Sequence, residues 1–325
     1  MRPGKMSAPR KYFIICVVFT FLPIFVSCTI IYTDTQCTSE TLEPCKQHPA
    51  FAESIYCENI NDIKTFVKVL RCASKRNMQE VFLEKSSLDY LPLYILDFCG
   101  FIFLNVKSVV LDKLLEGNVF IKLQQLHLDS VLFRKPWSWE PLKVLERLLR
   151  FSVVNMPVQV LNGTLVDNLT HKLKSFILTS TNTTEISHNA LQKFNDLEYV
   201  SIQNNEITEL KRSMFPKPAK IKFFYFGKNK IDSLPIDLFE DMPDLQFIAL
   251  QGNMISEIHE STFKGIWSNL SSLLLDGNPL KCRCKMLWLA KRKSPAVFTG
   301  SCFAPKLKYG KLLKNLSDLD FRCFR

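Results

Sequence analysis

The stretch Leu197-Glu198-Tyr199-Val200-Ser201-Ile202-Gln203-Asn204-Asn205-Glu206-Ile207 decides how this chain folds, because its pattern returns three more times. Apolar residues at the first, fourth, sixth and eleventh positions, with Asn at the ninth, recur in three further runs. They start at Ile221 (Phe224, Phe226, Asn229, Ile231), Leu245 (Ile248, Leu250, Asn253, Ile255) and Leu270 (Leu273, Leu275, Asn278, Leu280). The starts lie 24, 24 and 25 residues apart. The fourth and sixth positions alternate with period two, which predicts a short strand with one face in the core. The Asn follows where the chain turns away, and its amide suits backbone groups that the bend leaves unpaired. Phe215, Phe239 and Phe263 stand 18 residues after the first three starts, predicting an aromatic column on the convex side. One unit cannot bury its own apolar face, so the units must stack into a curved solenoid.

This line, L-x-x-L-x-L-x-x-N with a period of about 24, resembles the leucine-rich repeat. The resemblance implies an α/β fold: a leucine-rich repeat solenoid with parallel strands on its concave face. Fainter starts run backwards from Leu197 to Leu173, Leu148, Leu123, Phe101 and Met78. That makes about nine units over residues 78–280. In the five early units the Asn position holds Thr181, Met156, Val131, Val109 and Ser86. The first half is therefore expected to be the more irregular.

Residues 1–28 read as a signal peptide, with a basic leader (Arg2, Lys5, Arg10, Lys11), an apolar run from Tyr12 to Val26 and small residues at Ser27-Cys28. Retention of residues 12–32 as a membrane anchor is the competing reading. Eleven cysteines cluster at the two ends, with none in the 182 residues between Cys99 and Cys282. Such clustering fits disulfide-stapled caps, residues 29–77 and 281–325, in an oxidising compartment. Five Asn-x-Ser/Thr sites, Asn162, Asn168, Asn182, Asn269 and Asn315, add glycosylation to the expectation of a secreted, extracellular protein. Cys45 and Cys57 are the leading pair at the N-terminal end, and Cys72 with Cys99 a second candidate. Cleavage after Cys28 leaves nine cysteines, so one thiol is expected to stay free or to bond between molecules. The run Asn278-Pro279-Leu280-Lys281-Cys282-Arg283-Cys284, followed by Leu287-Trp288-Leu289, Cys302 and Cys323, resembles the C-terminal flank of secreted leucine-rich repeat proteins. That resemblance implies Cys282–Cys302 and Cys284–Cys323.

Catalytic patterns are missing from the sequence. His48, His127, His171, His188 and His259 are scattered, and no nucleophile elbow, phosphate loop or metal-binding helix occurs. His127 and Asp129 share a strand face, which more often means a solvated surface than a catalytic pair. No enzyme, cofactor or metal is expected. The whole layout resembles the arthropod secreted family of the Oplophorus-luciferin 2-monooxygenase non-catalytic subunit. It implies a chain that acts by associating with another protein.

Two binding surfaces follow. The chain carries a net charge of +11, and residues 281–325 alone hold twelve basic residues against two acidic ones. Lys291, Arg292, Lys293, Lys306, Lys308, Lys311 and Lys314 form a candidate polyanion patch, fit for acidic glycans. The third and fifth positions of each unit point out of the concave sheet. They place Tyr199, Phe223, Tyr225 and Phe247 on three adjacent strands, a candidate site for an extracellular protein ligand or enzyme subunit. No nucleic acid partner is expected, and no membrane span once the leader is removed.

Overall fold

The computed structural model describes residues 42–116, 122–136, 138–321 and 323. It also gives the backbone of Phe13–Val17, paired antiparallel with Ser27–Ile31. The rest of the leader read over residues 1–28 lies outside the described residues.

The chain coils into a solenoid whose concave wall is one sheet of twelve strands. Nine of them begin two residues after the nine sequence starts: Glu80–Glu84, Phe103–Lys107, Gln125–Asp129, Arg150–Val154, Ser175–Thr179, Tyr199–Gln203, Phe223–Tyr225, Phe247–Ala249 and Ser272–Leu274. All nine pair in parallel and in register, so equivalent residues of successive units stand side by side. The side chains at the fourth and sixth positions are buried in every unit, from Val81 and Leu83 to Leu273 and Leu275. Burial of one full face is what makes the register unambiguous, since a one-residue slip would turn this column out to solvent.

The eighth residue of each unit turns the chain out of the sheet through a left-handed backbone conformation. Lys85, Ser108, Ser130, Asn155, Ser180, Asn204 and Lys228 adopt it with φ between 43 and 55°. Gly252 and Gly277 take over in the last two units, with φ of 67 and 69°. A Cβ on Gly277 would come within 3.4 Å of the Gly252 backbone, so glycine also permits close stacking there.

Past this turn the two halves of the array solve one problem differently. In the second half the ninth-position amides bridge neighbouring units. Asn253 Nδ2 donates to the carbonyls of Phe226 and Leu250, both at 2.9 Å, while its Oδ1 accepts from Ile231 N at 3.1 Å. Asn229 does the same between Ile202 O (2.7 Å) and Ile207 N (3.2 Å). The early units have no such amide, and their backbone closes the gap itself. Ser87–Leu88, Val110–Leu111 and Leu132–Phe133 form a second, three-stranded parallel ladder behind the turn. Val160–Leu161 and Glu185–Ile186 continue the device. The irregularity expected of the first half does not extend to its concave strands. Its concave strands keep five residues, whereas the last three units keep three.

Phe215, Phe239 and Phe263 are buried behind the sheet. Phe224 links the column, its ring centroid 5.4 Å from both Phe215 and Phe239, and Phe263 follows 5.5 Å beyond Phe239. The column ends on the C-terminal cap, where Trp288 stacks on Phe263 at 6.1 Å and meets Trp267 edge-on at 4.8 Å. The cap also adds a strand, Val297–Thr299, that pairs in parallel with Ser272–Leu274. Cys282–Cys302 and Cys284–Cys323 staple it. At the other end the strand Ser54–Glu58 extends the sheet, Lys46–Gln47 closes it antiparallel, and Cys45–Cys57 ties the two.

The pairing of Cys72 with Cys99 is corrected. Cys72 is disulfide-bonded, but Cys99 carries a free thiol. Cys72 sits on a cap helix, Ile63–Lys75, that packs on the helix Leu93–Cys99, and its sulfur is already committed. Burial pushes the Cys99 thiol above its usual range, so it stays protonated and poorly reactive at neutral pH.

Candidate functional site

The concave wall carries two parallel rows of side chains on its solvent side. The third-position row runs Glu80, Phe103, Gln125, Arg150, Ser175, Tyr199, Phe223, Phe247 and Ser272. The fifth-position row beside it includes Phe82, Asn105, His127, Ser152, Ile177, Ser201 and Tyr225. Parallel in-register pairing makes both rows continuous.

The four aromatic residues singled out in the sequence come together. Tyr225 lies 5.1 Å from Tyr199 and 4.9 Å from Phe247, and Phe223 lies 6.0 and 6.5 Å from the same two rings. All four interplanar angles fall between 30 and 40°, the tilted geometry of aromatic pairs that attract. The rings are half-buried rather than open, because each covers part of its neighbour. Burial raises the pKa of both tyrosine hydroxyls, so each remains a protonated donor across the neutral range.

A second aromatic group stands at the opposite end of the same wall. Phe82 lies 4.8 Å from His48 and 5.4 Å from Phe103, and Phe51 is stacked parallel to Phe82 at 6.0 Å. Its sequence signal lies in the same two positions, the fifth of the Met78 unit and the third of the Phe101 unit. These two units lie in the fainter part of the array, away from the four runs that carry the Asn. His48 and Phe51 come from the cap, and only the fold brings them here.

Between the groups the wall is hollowed, with a concavity of about 940 Å³ that has both apolar and polar lining and reaches from Phe103 to Tyr199 and Phe223. Gln125, His127, Arg150, Ser152 and Lys174 line it. His127 Nδ1 is 2.9 Å from Ser152 Oγ. Asp129 turns instead to Ser130 (2.8 Å) and Asn155 (2.9 Å), so no Ser-His-Asp relay forms. Among the described residues no three His, Cys, Asp or Glu side chains are grouped to hold a metal.

Burial lowers the His127 pKa below its usual value, against the pull of Asp129. The neutral ring is thus the native form. An unfolded chain binds the proton more readily, so stability present above about pH 6.5 falls as the pH drops below that value. We expect His127→Gln to remove the part of the acid destabilisation that begins below about pH 6.5. Thermal melts of both proteins across that range check it, and parallel profiles would sink it.

The basic residues of the cap differ in their partners. Arg292 pairs with Glu260 and Lys311 with Asp320. Lys308 donates to the Cys282 carbonyl at 2.8 Å with its Nζ 4.4 Å from the Phe321 ring centroid, and burial lowers its pKa. Lys291, Lys293, Lys306 and Lys314 are exposed and make no ion pair among the described residues. The five sequon asparagines all lie off the two concave rows. Asn162 caps the short helix Gly163–Val166, Asn168 donates to Thr164 O, and Asn269 donates to Pro243 O.

Residues 219–280 match the leucine rich repeat family model. This span holds the units that start at Ile221 and Leu245 and the opening eleven residues of the one that starts at Leu270. No curated protein matches the chain. Among solved structures, an internalin from Listeria monocytogenes strain 4b F2365 is similar at 18% identity. The match covers 74% of this chain and 72% of that one, with a TM-score of 0.49. The fold is a leucine-rich repeat solenoid with disulfides near both ends of the array. No helix among the described residues is long and apolar enough to cross a membrane.

Proposed function

We propose that this chain is a non-catalytic, secreted binding module that holds an extracellular protein ligand on its concave wall. The observation that carries this reading is the tilted cluster of Tyr199, Phe223, Tyr225 and Phe247 on three adjacent strands. Rigid aromatic rings dominate interface hot spots, because they offer large apolar area with little conformational freedom to lose. The sheet beneath holds them in fixed register, so binding would freeze little backbone. Phe82 and Phe103 supply a second anchor of the same kind, the nearer, Phe103, four strand spacings from Tyr199 or about 19 Å away. A ligand with apolar side chains at both ends and polar groups opposite Gln125 and Arg150 matches the wall.

A photo-crosslinking side chain placed at position 247 tests the reading. The same partner should be trapped from position 247 and from position 103, but not from Ile236 on the turn-built side. Trapping from Ile236 alone would move the site off the concave wall.

A further inference from the structure

The C-terminal cap exposes apolar side chains that its own fold does not use. Leu307 is 99% exposed, Leu319 89%, Tyr309 69% and Phe303 58%. They are not scattered. Leu307 and Leu319 line one hollow with Pro305 and Phe321, and Phe303 and Tyr309 face each other at 5.9 Å. Two leucines held almost entirely in water by a disulfide-stapled cap carry a standing hydrophobic cost, which a covering partner would remove.

Charge identifies that partner. Arg283, Lys285 and Lys308 line the same hollow, and Lys306 sits beside Leu307 in the turn Lys306–Lys308. Lys314 lies in the turn Leu313–Asn315, which packs on the short helix that ends in Lys291. The two carboxylates there are neutralised within the cap, Glu257 by Lys285 at 3.0 Å and Asp320 by Lys311. Lys281, Arg283, Lys306 and Lys314 are exposed and have no ion-pair partner among the described residues. Of these, Arg283 lies in the hollow and Lys306 beside Leu307, and Asp318 beside Leu319 is exposed. Basic groups still outnumber acidic ones around the exposed leucines, which describes a surface for an interface that is both apolar and negatively charged. An acidic glycan would use the cations and leave the leucines in water. A bilayer bearing anionic lipids uses both, since apolar tips enter the acyl boundary while lysines reach the headgroups.

We propose that the C-terminal cap docks on anionic lipid bilayers, with Leu307 and Leu319 inserting and Lys281, Arg283, Lys306 and Lys314 held at the headgroups. It is a surface attachment, independent of the concave wall, which stays open to a ligand.

The test uses the protein recovered from culture medium and vesicles of phosphatidylcholine, with or without about one part in three of phosphatidylserine. Cosedimentation is expected with the phosphatidylserine vesicles only, falling as salt is raised. The double variant Leu307→Ser, Leu319→Ser should lower vesicle affinity by about tenfold or more while its melting temperature and heparin retention stay unchanged. Vesicle binding unaffected by the double variant would overturn the proposal and leave a charge-only surface. Retention on heparin without any vesicle binding would overturn it in favour of a glycan. A dimer that the double variant converts to monomer would assign the leucines to a second copy of the chain.

Discussion

Replacing Phe223 and Tyr225 together with Ala is expected to weaken ligand binding by at least about 2 kcal/mol, roughly thirtyfold in Kd. These two rings sit on the middle strand of the cluster, each flanked by Tyr199 on one side and Phe247 on the other. Removing both leaves a gap at its centre and isolates the outer two. The fold should tolerate the change better than the binding does. The rings are half-buried, and cross-strand aromatic contacts contribute only about 0.2–1 kcal/mol each. The measurement is titration calorimetry against the partner trapped from position 247, beside a thermal melt of each protein. A control at Ile236, exposed on the far side, should leave Kd unchanged. Wild-type affinity in the double variant would remove the concave cluster from the binding site.

The second large effect concerns stability. Asn253→Ala is expected to destabilise the protein by about 1–3 kcal/mol, the cost of one buried group left unpaired. It leaves the buried Ile231 amide without a partner, while the carbonyls of Phe226 and Leu250 each lose one of two donors and keep the amides of Asn229 and Asn278. Asn155→Gly provides the contrast, because glycine keeps the left-handed turn without strain. Asn155 is also a repeat asparagine, but one position earlier, exposed, and bonded only to the Asp129 carboxylate. Its loss should stay within about 0.5 kcal/mol of wild type. Urea denaturation followed by circular dichroism measures both. Equal effects would mean that the buried amides do not hold the units together.

Much of this molecule is set by short-range pattern. A period of 24 with apolar fourth and sixth positions leaves a strand only one way to bury its face, so strand positions, register and the two concave rows follow from the sequence alone. The cluster of Tyr199, Phe223, Tyr225 and Phe247 is legible for the same reason. Each ring occupies an outward position of a unit, and parallel stacking in register puts equivalent positions side by side.

Contacts between segments that share no period belong to the tertiary structure. The backbone ladder from Ser87 to Phe133 arises because Val109 and Val131 have no amide to offer, so main-chain groups of adjacent units pair directly. Nothing in the spacing of Cys72 and Cys99 indicates that one sulfur is already committed when the two cap helices pack. His48 and Phe51 reach Phe82 only after the cap folds over the first strand. Within the C-terminal cap, the sequence displays a run of like charges, but folding decides which are spent. Arg292, Lys308 and Lys311 find internal partners, while Leu307 and Leu319 are left in water beside cations that do not. Repetition turns sequence position into spatial position along the array; at its ends the repetition stops, and there packing alone places the side chains.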